Sequence, residues 1–163
     1  MADTPVRAVP DTERDVALGE LTSLIGYTLR RAQLAVFADF HHRFDADDIR
    51  PGQYSVLKVI ALNPGLRQTR VSAALGIKRT NFVPLLDILA ARGLAERRPV
   101  AGDRRSSALH LTPAGEALLE RLDAKIAAHE AKFTERLGGI DGRYQLLGLL
   151  HRLLQGEPEP KAE

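Results

Sequence analysis

Apolar residues recur every three or four positions over most of the chain, which is the period of an amphipathic helix. The pattern predicts six helices, at residues 14–44, 51–62, 68–75, 80–92, 113–137 and from about 140 to the last leucines. Proline and glycine mark several of the ends, since Pro51 begins the second helix and Gly76 and Gly93 follow the third and fourth. We therefore expect a mainly helical protein.

Between residues 94 and 111 the period changes to the alternation of a strand. We expect strands at 94–98 and 107–111 to pair as an antiparallel hairpin, with residues 100–107 projecting into solvent at its tip. The tip contains three charged residues, Asp103, Arg104 and Arg105. A carboxylate beside an arginine fixes the guanidinium group, and this suits phosphate or the narrow minor groove of DNA.

The third and fourth predicted helices are short and are joined by a turn with a glycine, which is typical of a helix-turn-helix. Together with the hairpin they predict a winged helix-turn-helix DNA-binding domain over residues 51–112. Residues 13–50 and 113–155 form a helical dimerisation region in this interpretation, and 1–12 and 156–163 are flexible tails. The predicted fold class is mainly α with a small two-stranded antiparallel wing.

The first and last helices are too apolar for free surface helices. A second copy of the chain would bury their leucines, so we expect a homodimer. The alternative is that both helices cover the winged domain within one chain.

Charge is distributed unevenly although the formal net charge is only +2. Residues 67–105 hold nine lysines and arginines against three acidic residues, so the remainder of the chain is acidic. A basic strip of this kind is typical of a surface that binds a polyanion. Sequence-specific regulation and non-specific, architectural DNA binding would both use it.

Several classes of function are disfavoured. The chain has no cysteine, so it contains neither disulfides nor thiolate zinc sites. It has no apolar run of about 18 residues and no secretory signal pattern, which favours a cytoplasmic protein without a membrane partner. Hydrolase, P-loop and dinucleotide-binding motifs are absent, so we expect neither an enzyme nor a cofactor.

The hairpin and its flanks resemble the MarR family of bacterial transcription regulators. The family's wing pattern, Asp-x-Arg followed by Leu-x-Leu-Thr-x-x-Gly, is matched by Asp103, Arg105, Leu109, Leu111, Thr112 and Gly115. The exit of the recognition helix is similarly matched by Leu89, Arg92, Gly93, Leu94 and Arg97. The resemblance covers nearly all of the folded chain. It implies an obligate dimer that binds a pseudo-palindromic double-stranded DNA operator and is released by a ligand.

Carried over to this chain, the resemblance places residues 78–81 at the start of the recognition helix. The candidate DNA-binding residues are Arg70, Lys78, Arg79, Thr80, Asn81, Arg98, Asp103, Arg104 and Arg105. Arg79 suits guanine and Asn81 suits adenine, whereas Arg70, Arg98 and Arg104 suit phosphate. Arg105 corresponds to the wing arginine of the minor groove, with Asp103 as its orienting partner.

Two features of this segment leave alternatives open. Thr80 is nearly as well explained as a helix N-cap, and Pro84 would then be the fourth helical residue. We expect a tolerated irregularity near the helix start, or else a helix that begins nearer Phe82.

Aromatic, basic and amide side chains form a stripe along the first helix. With one residue of the second helix they are the candidate effector-binding residues: Tyr27, Arg30, Gln33, Phe37, His41 and Tyr54. Phe37 would stack on an aromatic ring and Arg30 would neutralise a carboxylate or phosphate, as in an aromatic acid or its CoA thioester. Segments 29–33 and 79–84 look similar to family members linked to aromatic-acid catabolism. For any single phenylalanine among Phe37, Phe40 and Phe44, a place in the core is the better interpretation.

A metal-responsive regulator is the alternative, because five potential ligands lie within eight positions: His41, His42, Asp45, Asp47 and Asp48. We assign no metal site, since their spacing is not that of a zinc motif and carboxylates at a helix end commonly serve as caps.

Overall fold

The computed structural model describes residues 16–100 and 103–155, with the backbone alone at residue 100 and residues 103–106. The chain divides into two compact units, residues 1–35 and 36–163. The predicted tails, 1–12 and 156–163, lie outside the described residues. Within the described ranges, no helix is both long and apolar enough to cross a membrane.

The described part of the first unit corrects the prediction of one helix from residue 14. A short 3-10 helix, Gly19–Ser23, is followed by Leu24 in an extended conformation, and helix α1 (Ile25–Phe44) begins only after it. The break lies at Leu24, whose ψ of 129° is that of an extended residue and not of a helix. Apolar spacing alone did not reveal this change of backbone conformation.

Helices α2 (Pro51–Leu62), α3 (Gln68–Ala74) and α4 (Arg79–Ala91) form the predicted helix-turn-helix region. Proline occupies the first turn of α2, where its missing N–H costs little. Gly76 and Gly93 follow α3 and α4 with φ of 61° and 66°, the left-handed conformation that ends a helix. The three helices bury one apolar core, to which they contribute Val56, Leu57, Ile60, Val71, Phe82, Leu86 and Leu89.

The wing is an antiparallel pair, β1 (Ala95–Val100) and β2 (Asp103–Leu111), with Ala95 opposite Leu111. The Gly65 N–H donates to the Leu109 carbonyl at 2.9 Å, so the α2–α3 loop joins the sheet edge. Both strands are longer than predicted, and a register irregularity follows Pro99. The apolar alternation stops before the tip, but backbone pairing does not depend on side-chain polarity and continues along the arginine-rich segment.

Helix α5 (Pro113–Arg136) begins as predicted, because the Thr112 side chain accepts the Gly115 N–H at 3.1 Å. A Cβ added to Gly115 would lie 1.9 Å from the Leu94 carbonyl oxygen, so only glycine permits this close approach of helix and strand. Helix α6 (Ile140–Leu154) follows two glycines of positive φ. The fold class is therefore confirmed: six α-helices and a two-stranded wing lie within the described residues.

Candidate DNA interface and effector residues

The first turn of α4 presents four consecutive polar residues to solvent. Lys78 is the N-cap, and its carbonyl accepts the N–H groups of Asn81 at 2.9 Å and Phe82 at 3.0 Å. Lys78, Arg79, Thr80 and Asn81 are all exposed, whereas Phe82 is 1% exposed in the core. The buried phenyl ring thus anchors a helix end at which guanidinium, ammonium and amide groups are directed outwards. A helix N-terminus also favours nearby phosphate.

Neither alternative for the start of α4 is correct, because the helix begins at Arg79 with Lys78 as its N-cap, and not after a Thr80 cap or nearer Phe82. Pro84 consequently lies at the sixth helical position, inside the helix. Its ring removes the hydrogen bond to the Thr80 carbonyl, but both residues are exposed, so water can satisfy that oxygen. Thr80 is therefore available for DNA contact.

The three candidate phosphate-binding arginines differ in their surroundings. Arg70 is exposed on α3, with no side-chain ion pair to the described residues. Arg98, on β1, donates from Nε at 2.8 Å and Nη2 at 2.5 Å to a carboxylate oxygen of Glu96. The third, Arg104, lies on β2 with Asp103 and Arg105; the side chains of these three wing residues lie outside the described part of the structure. The predicted pairing of Asp103 with Arg105 stays a prediction.

Two other arginines of the basic strip hold the fold together. Arg92, at the end of α4, donates to the backbone carbonyls of Asp48 at 2.5 Å and Asp47 at 2.7 Å. Arg97 of β1 forms an ion pair with Asp87 of α4 at 2.6 Å, which ties the wing to α4. Counting charges along the sequence did not distinguish these arginines from Arg70 and Arg79, which form no ion pair with the described residues.

The predicted effector stripe follows α1 along its length. In the first unit, Tyr27 is half-buried while Arg30 and Gln33 are exposed. In the second unit, His41 is exposed and Phe37 is 38% exposed, so Phe37 is not a core residue. Phe40 and Phe44 are buried and stack at 4.0 Å between ring centroids, which makes them core residues.

Tyr54 is half-buried on α2, and its hydroxyl donates to Asp123 of α5 at 2.9 Å. Lys58 donates to the other carboxylate oxygen of Asp123 at 2.6 Å. Burial, and then the hydrogen bond to Asp123, raise the pKa of Tyr54 above its usual range, so the phenol remains a protonated donor. This candidate effector residue therefore already has an internal partner.

A cluster around Asp39 was not predicted. Lys132 donates to Oδ1 of Asp39, while Arg43 Nε and the ring nitrogen Nδ1 of buried His129 each lie 2.7 Å from Oδ2. The hydrogen bond from Lys132, followed by those from Arg43 and His129, outweighs burial and holds the pKa of Asp39 well below its usual range. Only the Arg43 contact, four residues away on one helix, had a signal in the sequence.

A groove of about 780 Å³ runs beside this cluster, between the second half of α1 and the middle of α5. Its basic lining includes Arg43, Lys125 and Lys132, all of which have carboxylate partners: Lys125 donates to Asp47, and the other two contact Asp39. Two carboxylates within the chain thus offset two of the three positive charges of this lining.

The histidine and aspartate cluster does not assemble as a metal site. Among the described residues, no three histidine, aspartate or glutamate side chains are positioned to hold one ion. Asp45 and Asp47 instead lie in a 3-10 turn after α1, and Asp48 follows with a positive φ of 48°. These residues are close in sequence, but their side chains do not converge on one point. Asp47, for example, forms an ion pair with Lys125.

Comparison with known proteins gives consistent results. A model of the MarR family matches residues 47–106. The chain is 34% identical over 145 residues to a putative transcriptional regulatory protein for the hcr operon of Thauera aromatica, covering 88% of this chain and 87% of that protein.

Two solved structures of the transcriptional repressor CouR are similar over the same extent. CouR bound to a 23-mer DNA duplex is 45% identical, with a TM-score of 0.81 over 86% of this chain and 99% of that chain. CouR bound to p-coumaroyl-CoA is 41% identical, with a TM-score of 0.81 over 88% of this chain and 100% of that chain. The chain belongs to the MarR family of transcriptional regulators.

Proposed function

We propose that this protein is a cytoplasmic, homodimeric repressor that binds a pseudo-palindromic DNA operator and is released by an aromatic carboxylate or its CoA thioester. The observation that carries the proposal is the 45% identity, over 86% of the chain, with a repressor bound to a DNA duplex. The exposed first turn of α4 supports it, since residues 78–81 combine base-reading and phosphate-binding side chains on a helix of the size that enters a major groove.

Exposed apolar side chains support the homodimer. In α6 they are Ile140, Tyr144, Leu146, Leu149, Leu153 and Leu154. In the first unit Val16, Leu18, Leu21, Leu24, Ile25, Leu29 and Leu34 are also exposed. A second copy would remove this apolar surface from water. Light scattering should give twice the chain mass of 17.9 kDa. Leu149→Asp should shift the mass towards the monomer, whereas a wild-type mass of one chain contradicts the proposal.

DNA binding is tested by fluorescence anisotropy with a duplex of about 23 base pairs from the protein's own promoter region, a length taken from the CouR complex. Specific binding should exceed binding to a scrambled duplex on the order of 10³-fold at physiological salt. Asn81→Ala should lose roughly tenfold or more of this discrimination without a change in salt dependence, because the amide is uncharged. Gln155→Ala, which removes an exposed amide after α6, is the matched control. Equal affinity for both duplexes would favour an architectural protein instead.

The effector is tested with three separate compounds: p-coumaroyl-CoA, p-coumarate and free CoA. We expect release by the thioester at the lowest concentration, by analogy with the complex of CouR and p-coumaroyl-CoA. Phe37→Ala should raise the concentration needed for half-release, because stacking on the exposed ring is lost. Release by p-coumarate alone would make the free acid the effector, and release by none of the three would refute this effector class.

A further inference from the structure

The wing carries two ion pairs of different kinds. Alternate residues of a strand point to opposite faces, so Arg97 and Arg98 lie on different sides of the hairpin. Arg97 lies opposite buried Leu109 and contacts Asp87 across the inner face. Arg98 lies opposite Ala108 and pairs with Glu96, two residues earlier on the same outer face.

The Arg98–Glu96 pair is exposed and is confined to one strand. The side chains are 56% and 43% exposed, and the guanidinium Nη2 lies 2.5 Å from the carboxylate. Such a pair connects no separate elements, and an exposed ion pair adds little to stability. The Asp87–Arg97 pair is about as exposed, with side chains 56% and 32% accessible, but it joins α4 to β1. Joining two elements therefore gives the inner pair a structural role that the outer pair lacks.

We propose that Glu96 attenuates operator binding by competing with DNA phosphate for Arg98. The inference rests on the proposed function, which makes the wing a DNA contact. When Arg98 reaches a phosphate, it must either leave Glu96 or keep that carboxylate close to the phosphate. The first route loses the ion pair, and the second places like charges near one another. Both routes reduce the affinity that an unpaired Arg98 would provide.

Glu96→Gln tests this directly, because glutamine keeps the side-chain length and the oxygen acceptor but removes the charge. We expect operator affinity to rise roughly threefold to tenfold at low salt and the gain to shrink as added salt screens the interaction. The slope of log affinity against log salt should steepen by up to about 0.9, the value of one further phosphate contact.

Two controls separate this mechanism from others. Glu120→Gln removes the same charge from an exposed position of α5 and should change affinity less than twofold, which excludes a net-charge effect. In an Arg98→Ala background, Glu96→Gln should lose most of its gain in operator affinity, since the guanidinium group for which Glu96 competes is absent.

Weaker or unchanged binding of Glu96→Gln would overturn the proposal, because Glu96 would then orient Arg98 or take no part. An equal gain in the Arg98→Ala background would also overturn it, leaving simple repulsion between Glu96 and DNA. Failure of the proposed function is a distinguishable result, since the wild-type protein itself would then fail to prefer its operator.

Discussion

The first turn of α4 and the Asp39 cluster both gather basic side chains, but only one of them leaves its charge available. On α4, Lys78 and Arg79 are exposed and form no ion pair with the described residues. In the cluster, Arg43 and Lys132 both contact the carboxylate of Asp39. The difference in partners, and not the number of cations, separates a candidate DNA interface from a structural network.

The comparison changes how the basic strip should be understood. Its arginines range from Arg79, which has no ion pair with the described residues, through surface-paired Arg98, to Arg92, which is bound to backbone carbonyls. An arginine that already donates to the protein must lose those bonds before it binds phosphate. We therefore expect the contributions to DNA affinity to decrease in that order.

Removing Asp39 should produce the largest effect on stability. Asp39→Ala leaves Lys132, Arg43 and His129 without their shared acceptor, and loss of one member of a buried charged network is costly. Because Arg43 and Lys132 are about one-third exposed and regain water, we expect a loss of about 2–3 kcal/mol in the free energy of unfolding. Urea denaturation measures it.

Glu120→Ala is the control for Asp39→Ala, since its carboxylate is exposed on α5, and it should change stability by less than about 0.5 kcal/mol. Operator affinity of the folded Asp39→Ala protein should remain near the wild-type value. A large loss of DNA binding at full folding would contradict the division between the two regions.

The same carboxyl group should make stability depend on pH. Its pKa is lowered in the folded protein, so the unfolded chain binds the proton first as pH falls. The stabilisation is present above about pH 4, the ordinary pKa of aspartate, and is lost below it. Urea unfolding from about pH 5 to pH 3 should therefore show a shallower decline for Asp39→Asn than for wild type. Parallel curves would show that Asp39 contributes no such linkage.

Arg79→Ala, in the first turn of α4, should lower operator affinity and leave stability almost unchanged, which is the converse of the result expected for Asp39→Ala. We expect operator affinity to fall by about 1–2 kcal/mol because a base or phosphate contact is lost, while the free energy of unfolding changes by less than about 0.5 kcal/mol. Arg152→Ala removes an exposed arginine from α6 and should leave operator affinity almost unchanged. Destabilisation by Arg79→Ala would show that Arg79 supports the fold.

Much of the fold was predictable because its signals are local. Helix ends follow from the backbone preferences of proline and glycine, which depend on residue type alone. They mark the start of α2 at Pro51 and the ends of α3 and α4 at Gly76 and Gly93. The start of α1 was missed because Leu24 takes an extended conformation although the apolar spacing continues past it. The wing strands were underestimated because residues near the tip have no apolar alternation, whereas their backbone groups still pair.

The candidate site was predictable only where its residues are close in sequence. Residues 78–81 are consecutive, so their position at one helix end follows from the helix boundary. His129 and Asp39 are 90 positions apart, and nothing in the local pattern pairs them. The same is true of Tyr54 and Asp123, which are 69 positions apart. Contacts of this range depend on how helices pack, which periodicity does not encode.

Replacing Tyr54 should give a smaller change in the free energy of unfolding than replacing Asp39. It also tests whether this residue contributes to the effector response. Tyr54→Phe removes the hydrogen bond to Asp123 but keeps the ring, and Asp123 retains Lys58, so unfolding should become easier by about 1 kcal/mol. Lys58→Met, which removes the other partner of Asp123, is the comparison variant for urea denaturation. If Tyr54 also contacts the effector, only Tyr54→Phe will raise the half-release concentration of p-coumaroyl-CoA. An equal rise in both variants would mean that Tyr54 acts through the α2–α5 contact and not through the ligand.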